Sequence, residues 1–151
     1  MAYTQPRTWS AGETVTAALM NQHVRDNLNA ISPKVAWISI GSPDGAVITT
    51  GVKARVWIPF PCKIVGWTLL ADASGSVVID VWKDTYANHP PTVADTIAGS
   101  EKPTLASAQK NQDLTLTTWT QNVAAGDILF FNVDSVATVK QVFLGLSLEP
   151  L

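Results

Sequence analysis

Charge is scarce in this chain. Asp, Glu, Lys and Arg make up only 15% of its 151 residues, against roughly a quarter in an average globular domain. No basic run occurs: Lys34, Lys53, Lys63, Lys83, Lys102, Lys110, Lys140, Arg7, Arg25 and Arg55 are scattered singly. Nucleic-acid binding needs a basic patch or stripe, so no such partner is expected. The single cysteine, Cys62, excludes an internal disulfide. It is expected to be a buried structural thiol, in a protein assembled in a reducing compartment. Long apolar runs are missing too. The longest are short strand-like stretches, far below the ~20 residues of a spanning helix, so no membrane partner is expected. Residues 1–10 lack the basic and apolar regions of a secretory signal.

Catalytic vocabulary is equally thin. There are two histidines, His23 and His89, and neither has a second ligand at metal-binding spacing. No nucleophile elbow, EF-hand loop, P-loop or dinucleotide glycine turn occurs. Asp80 and Asp84, with Asp95 further on, are the acidic residues that could bind calcium or serve a glycosidase. The plainer reading is that Asp80 ends a strand and pairs with Lys83 or a loop amide. The expectation is a non-enzyme with no catalytic residues, no metal and no cofactor.

What is present is apolar mass. Hydrophobic residues make up 46% of the chain, enough to bury a core and to exclude global disorder. So little charge also suggests that a partner covers part of the surface. The pattern changes at Ser32-Pro33. Before it, residues 1–13 read as a polar, irregular arm holding Tyr3 and Trp9. Thr16 is a good N-cap, and Val15 and Met20 are placed as a hydrophobic staple around it. Met20, Val24, Leu28 and Ile31 then follow at spacings of 4, 4 and 3, flanked by Leu19 and His23. That is one face of an amphipathic helix, which Pro33 ends. The helix lies either on its own domain or, as a coiled-coil-like seam or anchor, on another chain. Trp9, Val15, Leu19, Met20, Val24, Leu28 and Ile31 are the candidate anchoring or oligomer-interface residues.

From Val35 onward the period becomes two. Strands are expected near 35–40, 46–50, 53–60, 63–71, 77–83, 113–118, 127–133 and 138–148. Turns are expected at Asp72-Ala73-Ser74-Gly75 and at Asp134-Ser135, among others. Residues 84–112, with Pro90, Pro91 and Pro103, read as one long connection. The fold class is therefore mostly β: an antiparallel sandwich or jelly roll, with an N-terminal arm and one amphipathic α-helix. The expected division is 1–33 arm and anchoring helix, 34–46 linker or first strand, and 47–151 β-sandwich.

Six tryptophans stand out: Trp9, Trp37, Trp57, Trp67, Trp82 and Trp119. Trp67 and Trp82 lie in strongly apolar strands and read as core. Trp57 and Trp119 are the candidate exposed aromatic contacts, of the kind that stack on sugars. In a sandwich such residues also fill cores and interfaces.

Two stretches carry a resemblance. Thr8-Trp9-Ser10-Ala11-Gly12-Glu13-Thr14-Val15-Thr16-Ala17-Ala18-Leu19-Met20-Asn21-Gln22-His23-Val24-Arg25-Asp26-Asn27-Leu28 resembles an N-terminal segment of virion-associated proteins of tailed phages, including tail-fibre-like and minor structural proteins. Leu69 to Asp84, followed by Pro90-Pro91-Thr92-Val93-Ala94-Asp95, looks like a β domain of phage structural proteins. The resemblance implies a non-enzymatic virion component, assembled in the host cytoplasm and usually oligomeric. Its expected partners are itself, as a homotrimer, and other capsid or tail proteins. A capsid decoration protein or short head fibre is expected ahead of a tail-associated receptor- or glycan-binding protein.

Overall fold

The computed structural model describes residues 4–5, 7–31, 35–42 and 44–151, with backbone only at 29–31. The chain forms two compact units, Met1–Pro33 and Lys34–Glu149.

The second unit is antiparallel β. Its strands are β1 (Val35–Gly41), β2 (Gly51–Trp57), β3 (Cys62–Asp84), β4 (Thr104–Asp113), β5 (Asn122–Val123), β6 (Ile128–Ala137) and β7 (Gln141–Pro150). They make one hydrogen-bonded sheet of order β1-β7-β3-β6-β2, with β4 and β5 also on β3. The sheet curls until its end strands, β1 and β2, approach each other. It is a sandwich made by bending one sheet, not by stacking two separate ones.

β3 makes the bend. Its first half pairs with β5 and β4, and its second half with β6. Its buried positions run Cys62, Ile64, Trp67 and Leu69, then Val77, Ile79 and Val81. They meet Phe131 and Val133 of β6 and Leu144 and Leu146 of β7 in a single core. Each such side chain contributes about 1.5–3 kcal/mol by leaving water.

Several expectations are corrected. Residues 72–75 do not turn: β3 runs through them, with its pairing shifted between Leu70 and Gly75 and again before Val77. Asp72 spends its carboxylate on the amides of Lys140 and Gln141, at 3.2 and 3.1 Å. Gly75 is required there, because a Cβ would stand 2.4 Å from Thr138 Oγ1 and 2.7 Å from the Ala137 carbonyl. β6 likewise runs through Asp134-Ser135 to Ala137, so the chain turns later. Residues 46–50 and 114–118 are not strands, and 104–113 is one. Among the described residues there are seven strands, not eight.

The connection from β3 to β4 runs along an edge of the second half of β3. The Ile97 amide donates to the Val81 carbonyl, and the Ile79 amide to that of Pro103. Glu101 fastens the far end by accepting from the hydroxyls and amides of Thr117 and Thr118. Those bonds, the Thr117 hydroxyl first, pull its carboxyl down to about 2. A depressed carboxyl stabilises fully above its unfolded value of 4.5 and loses that share as pH falls through about 2. Carbon-detected NMR should therefore show Glu101 titrating near pH 2. Glu101→Gln should flatten stability across that acid window. A Glu101 titration at the ordinary carboxyl value would refute the fastening.

Candidate functional site

The N-terminal unit is built around a helical segment in three parts. These are α1 (Ala17–Met20), a π turn (Asn21–Arg25) and α2 (Asp26–Ile31). Thr16 caps it as expected, its hydroxyl accepting from the Leu19 amide at 3.3 Å. The arm binds one side of this segment. The Asn27 amide group donates to the Thr4 carbonyl and its oxygen accepts from the Thr4 amide, both at 2.9 Å. Trp9 meets His23 edge-on, with ring centroids 6.1 Å apart. Arg7 lies over Trp9 at 5.1 Å and pairs with Glu13. His23 is thus a packed histidine.

Leu19, His23 and Asn27 follow at spacings of four, so the arm takes that face. Leu19 is half-buried, and Asn27 is buried. The apolar stripe is the adjacent face, and its described side chains are exposed. Met20 is 46% exposed, Val24 43% and Leu28 57%. Val15 is exposed as well, and Trp9 is partly so. The Ile31 side chain lies outside the described residues. The structure thus brings Trp9 to the arm–helix contact, leaves Leu19 half-buried, and has Met20, Val24 and Leu28 on an exposed line.

On the β unit, Trp57 projects from β2 and is 62% exposed. Trp119 is only 7% exposed, which corrects the expectation of an exposed contact. Its indole N–H donates to the Glu101 carbonyl at 3.0 Å, so the polar end is satisfied inside. Trp67 is core. Trp82 is half-buried on the outer side of β3, paired across from Phe130. Trp37, one of the six tryptophans but not among the candidate contacts, stands exposed on β1. Its benzenoid ring lies over Gly145 of β7, where a Cβ would come within 2.8 Å of it. The glycine opposite a tryptophan was the available signal.

The acidic residues are committed locally. Asp80 is fully buried: it accepts from the Thr96 hydroxyl at 2.6 Å and pairs with Lys102 at 2.9 Å. Asp84 accepts from the Thr85 amide and the Asn88 side chain. Asp95 completes a capping box with Thr92, whose amide and hydroxyl hold its carboxyl below the ordinary value. Hydrogen bonds also depress Asp44, Asp72 and Glu101. A general acid at neutral pH needs the opposite displacement. His89 packs edge-on to Phe130 at 5.5 Å. Among the described residues, no three His, Cys, Asp or Glu side chains gather as a metal site would require. Cys62 is buried, and burial, then the charge of Asp127, pushes its thiol up.

No protein-family model and no curated protein matches the chain. Two solved structures are similar to it. One, described as "CBM4 structure and function", is 13% identical over 76% of this chain and 94% of its own, with a TM-score of 0.37. The other is the N-terminal cellulose-binding domain from Cellulomonas fimi β-1,4-glucanase C. It is 14% identical over 77% of this chain and 89% of its own, with a TM-score of 0.34.

Proposed function

We propose that the chain is a non-enzymatic structural protein of a tailed-phage virion, held on the particle by its N-terminal unit. The observation that carries this is the exposure of the apolar Met20 and Val24 side chains beside a face that the arm touches. An arm that orders itself on one face of a helix while Met20 and Val24 stay exposed beside it suits an attachment element. The Thr8–Leu28 resemblance supplies the virion setting. Assembly in the host cytoplasm as a homotrimer, serving as a capsid decoration protein or short head fibre, fits a unit with one anchor and one compact β domain. Carboxylates committed to local hydrogen bonds support the non-enzymatic reading.

A second reading has one observation in its favour. Trp57 and Trp37 stand exposed on the two end strands of the sheet, as a tail-associated receptor- or glycan-binding protein would require. Glycan-array binding that Trp57→Ala removes would select it.

The test of the first reading is deletion of residues 1–33. The buried core runs from Ile38 to Leu148, so the deletion removes none of it. The remaining chain should still melt cooperatively and should fail to join particles in a reconstitution assay. Normal incorporation of the truncated chain would end the proposal.

A further inference from the structure

β2 turns one side to the core and the other to solvent. Ala54 and Val56 pack against the core, so Arg55 and Trp57, which alternate with them, stand on the outer face. The register carries that face across two more strands: Arg55 lies opposite Phe130 of β6, and Phe130 lies opposite Trp82 of β3. Phe130 is buried there, with the Arg55 guanidinium over its ring at 4.9 Å and His89 edge-on to it at 5.5 Å. The guanidinium is thus held in place by a ring and not by an acid. Of the three arginines, Arg7 pairs with Glu13 and Arg25 with Asp26, whereas no carboxylate among the described residues stands within ion-pair distance of Arg55. Trp57 projects beside it, two residues along, and is mostly exposed. The carboxylate in the row of Trp57 is Asp84, two strands away across Ile128. It is taken up by the Thr85 amide and the Asn88 side chain.

We infer that Arg55 and Trp57 bind an acidic saccharide, a glycan with a carboxylate on a sugar ring. This names the ligand class of the receptor- or glycan-binding reading and rests on that reading. An exposed indole offers a flat apolar face to the C–H side of a pyranose ring. A guanidinium is a planar fork that meets a carboxylate with two parallel N–H···O bonds. Two residues along a strand are ~6.6 Å apart, so a ring resting on Trp57 brings a carboxylate on its rim within reach of Arg55. The charge on Arg55, unanswered within the chain, selects an anionic ligand over a neutral one. Nucleic acid, the other polyanion with rings to stack, is disfavoured because its backbone asks for a run of cations, and the chain has none.

An array of uronic-acid and sialic-acid glycans beside neutral glycans of similar length tests the site on the full chain. The native chain should bind the carboxylated glycans severalfold more strongly than the neutral ones. Arg55→Gln should remove that preference. Arg55→Lys, which keeps the charge and loses the fork, should retain only part of it. Trp57→Ala should lose binding to both kinds. Both side chains are exposed, so each variant should melt close to native, which calorimetry checks. Equal binding to acidic and neutral glycans, or a preference that Arg55→Gln leaves unchanged, would overturn the acidic site and leave the glycan reading standing. No binding to any glycan would end both. Binding that survives Trp57→Ala, or an oligothymidylate bound as strongly as the carboxylated glycans, would show unspecific attraction of charge and overturn the site.

Discussion

Lys102→Ala should lower the melting temperature by on the order of 10 °C, the largest loss expected from any single exposed or half-exposed side chain. Asp80 explains the size. It points away from the core of β3, yet the covering connection leaves it no solvent. Its charge is answered by Lys102 at 2.9 Å, and Lys102 also bridges to Asp134 at 2.8 Å. Removing the ammonium strands a buried carboxylate with only a hydroxyl and its neighbouring amide as donors. Stranded charges cost roughly 3–5 kcal/mol, and the partly wet Lys102 end places this one near 3. Hydrogen bonds to Asp134, then to Asp80, raise the lysine above its usual value. A raised lysine contributes fully below its unfolded value of 10.5 and loses that share only as pH rises through the folded value. The deficit should therefore be constant across neutral pH. The double change Asp80→Leu with Lys102→Met should recover most of it, because the pair leaves together. A Lys102→Ala chain that melts within about 2 °C of the native one would show that Asp80 is not stranded.

The same connection shows where the sequence stops being legible. Strands with one buried face could be read: β2 and the second half of β3 alternate, and the structure places them within a few residues of the expected positions. β4 could not. Of Thr104 to Asp113 only Leu105 is buried, so this edge strand carries no period to detect. Asp72 to Gly75 has the composition of a turn because Asp and Gly serve other ends there. The aspartate binds two amides from across the sheet, and the glycine admits the Ala137–Val139 segment. Thr115, Thr117 and Thr118 have strand propensity, but carboxylates of Asp113 and Glu101 capture their amides first. Trp119 illustrates the limit for sites. Its neighbours are polar threonines, yet it is buried through a contact with Glu101, 18 residues away. The helical stripe was legible as residues and as a face. The π turn was not, because it shows only in which carbonyl the Asp26 amide chooses.

Val24→Asp should leave the melting of the isolated chain within a few tenths of a kcal/mol of native and should abolish attachment to particles. The contrast follows from where the side chain stands. Val24 is exposed in the single chain, so water solvates the new carboxylate and little is lost. On the particle the same position is enclosed by apolar side chains of a partner. An unpaired charge there costs several kcal/mol. At about 1.4 kcal/mol per tenfold, even 3 kcal/mol weakens binding by more than a hundredfold. If the stripe instead served only to stabilise its own chain, the substitution would lower the melting temperature and spare attachment of the folded fraction. One substitution thus separates the two roles by opposite outcomes. Differential scanning calorimetry gives the first readout and particle co-sedimentation the second. Full co-sedimentation by Val24→Asp would remove the stripe from the attachment surface.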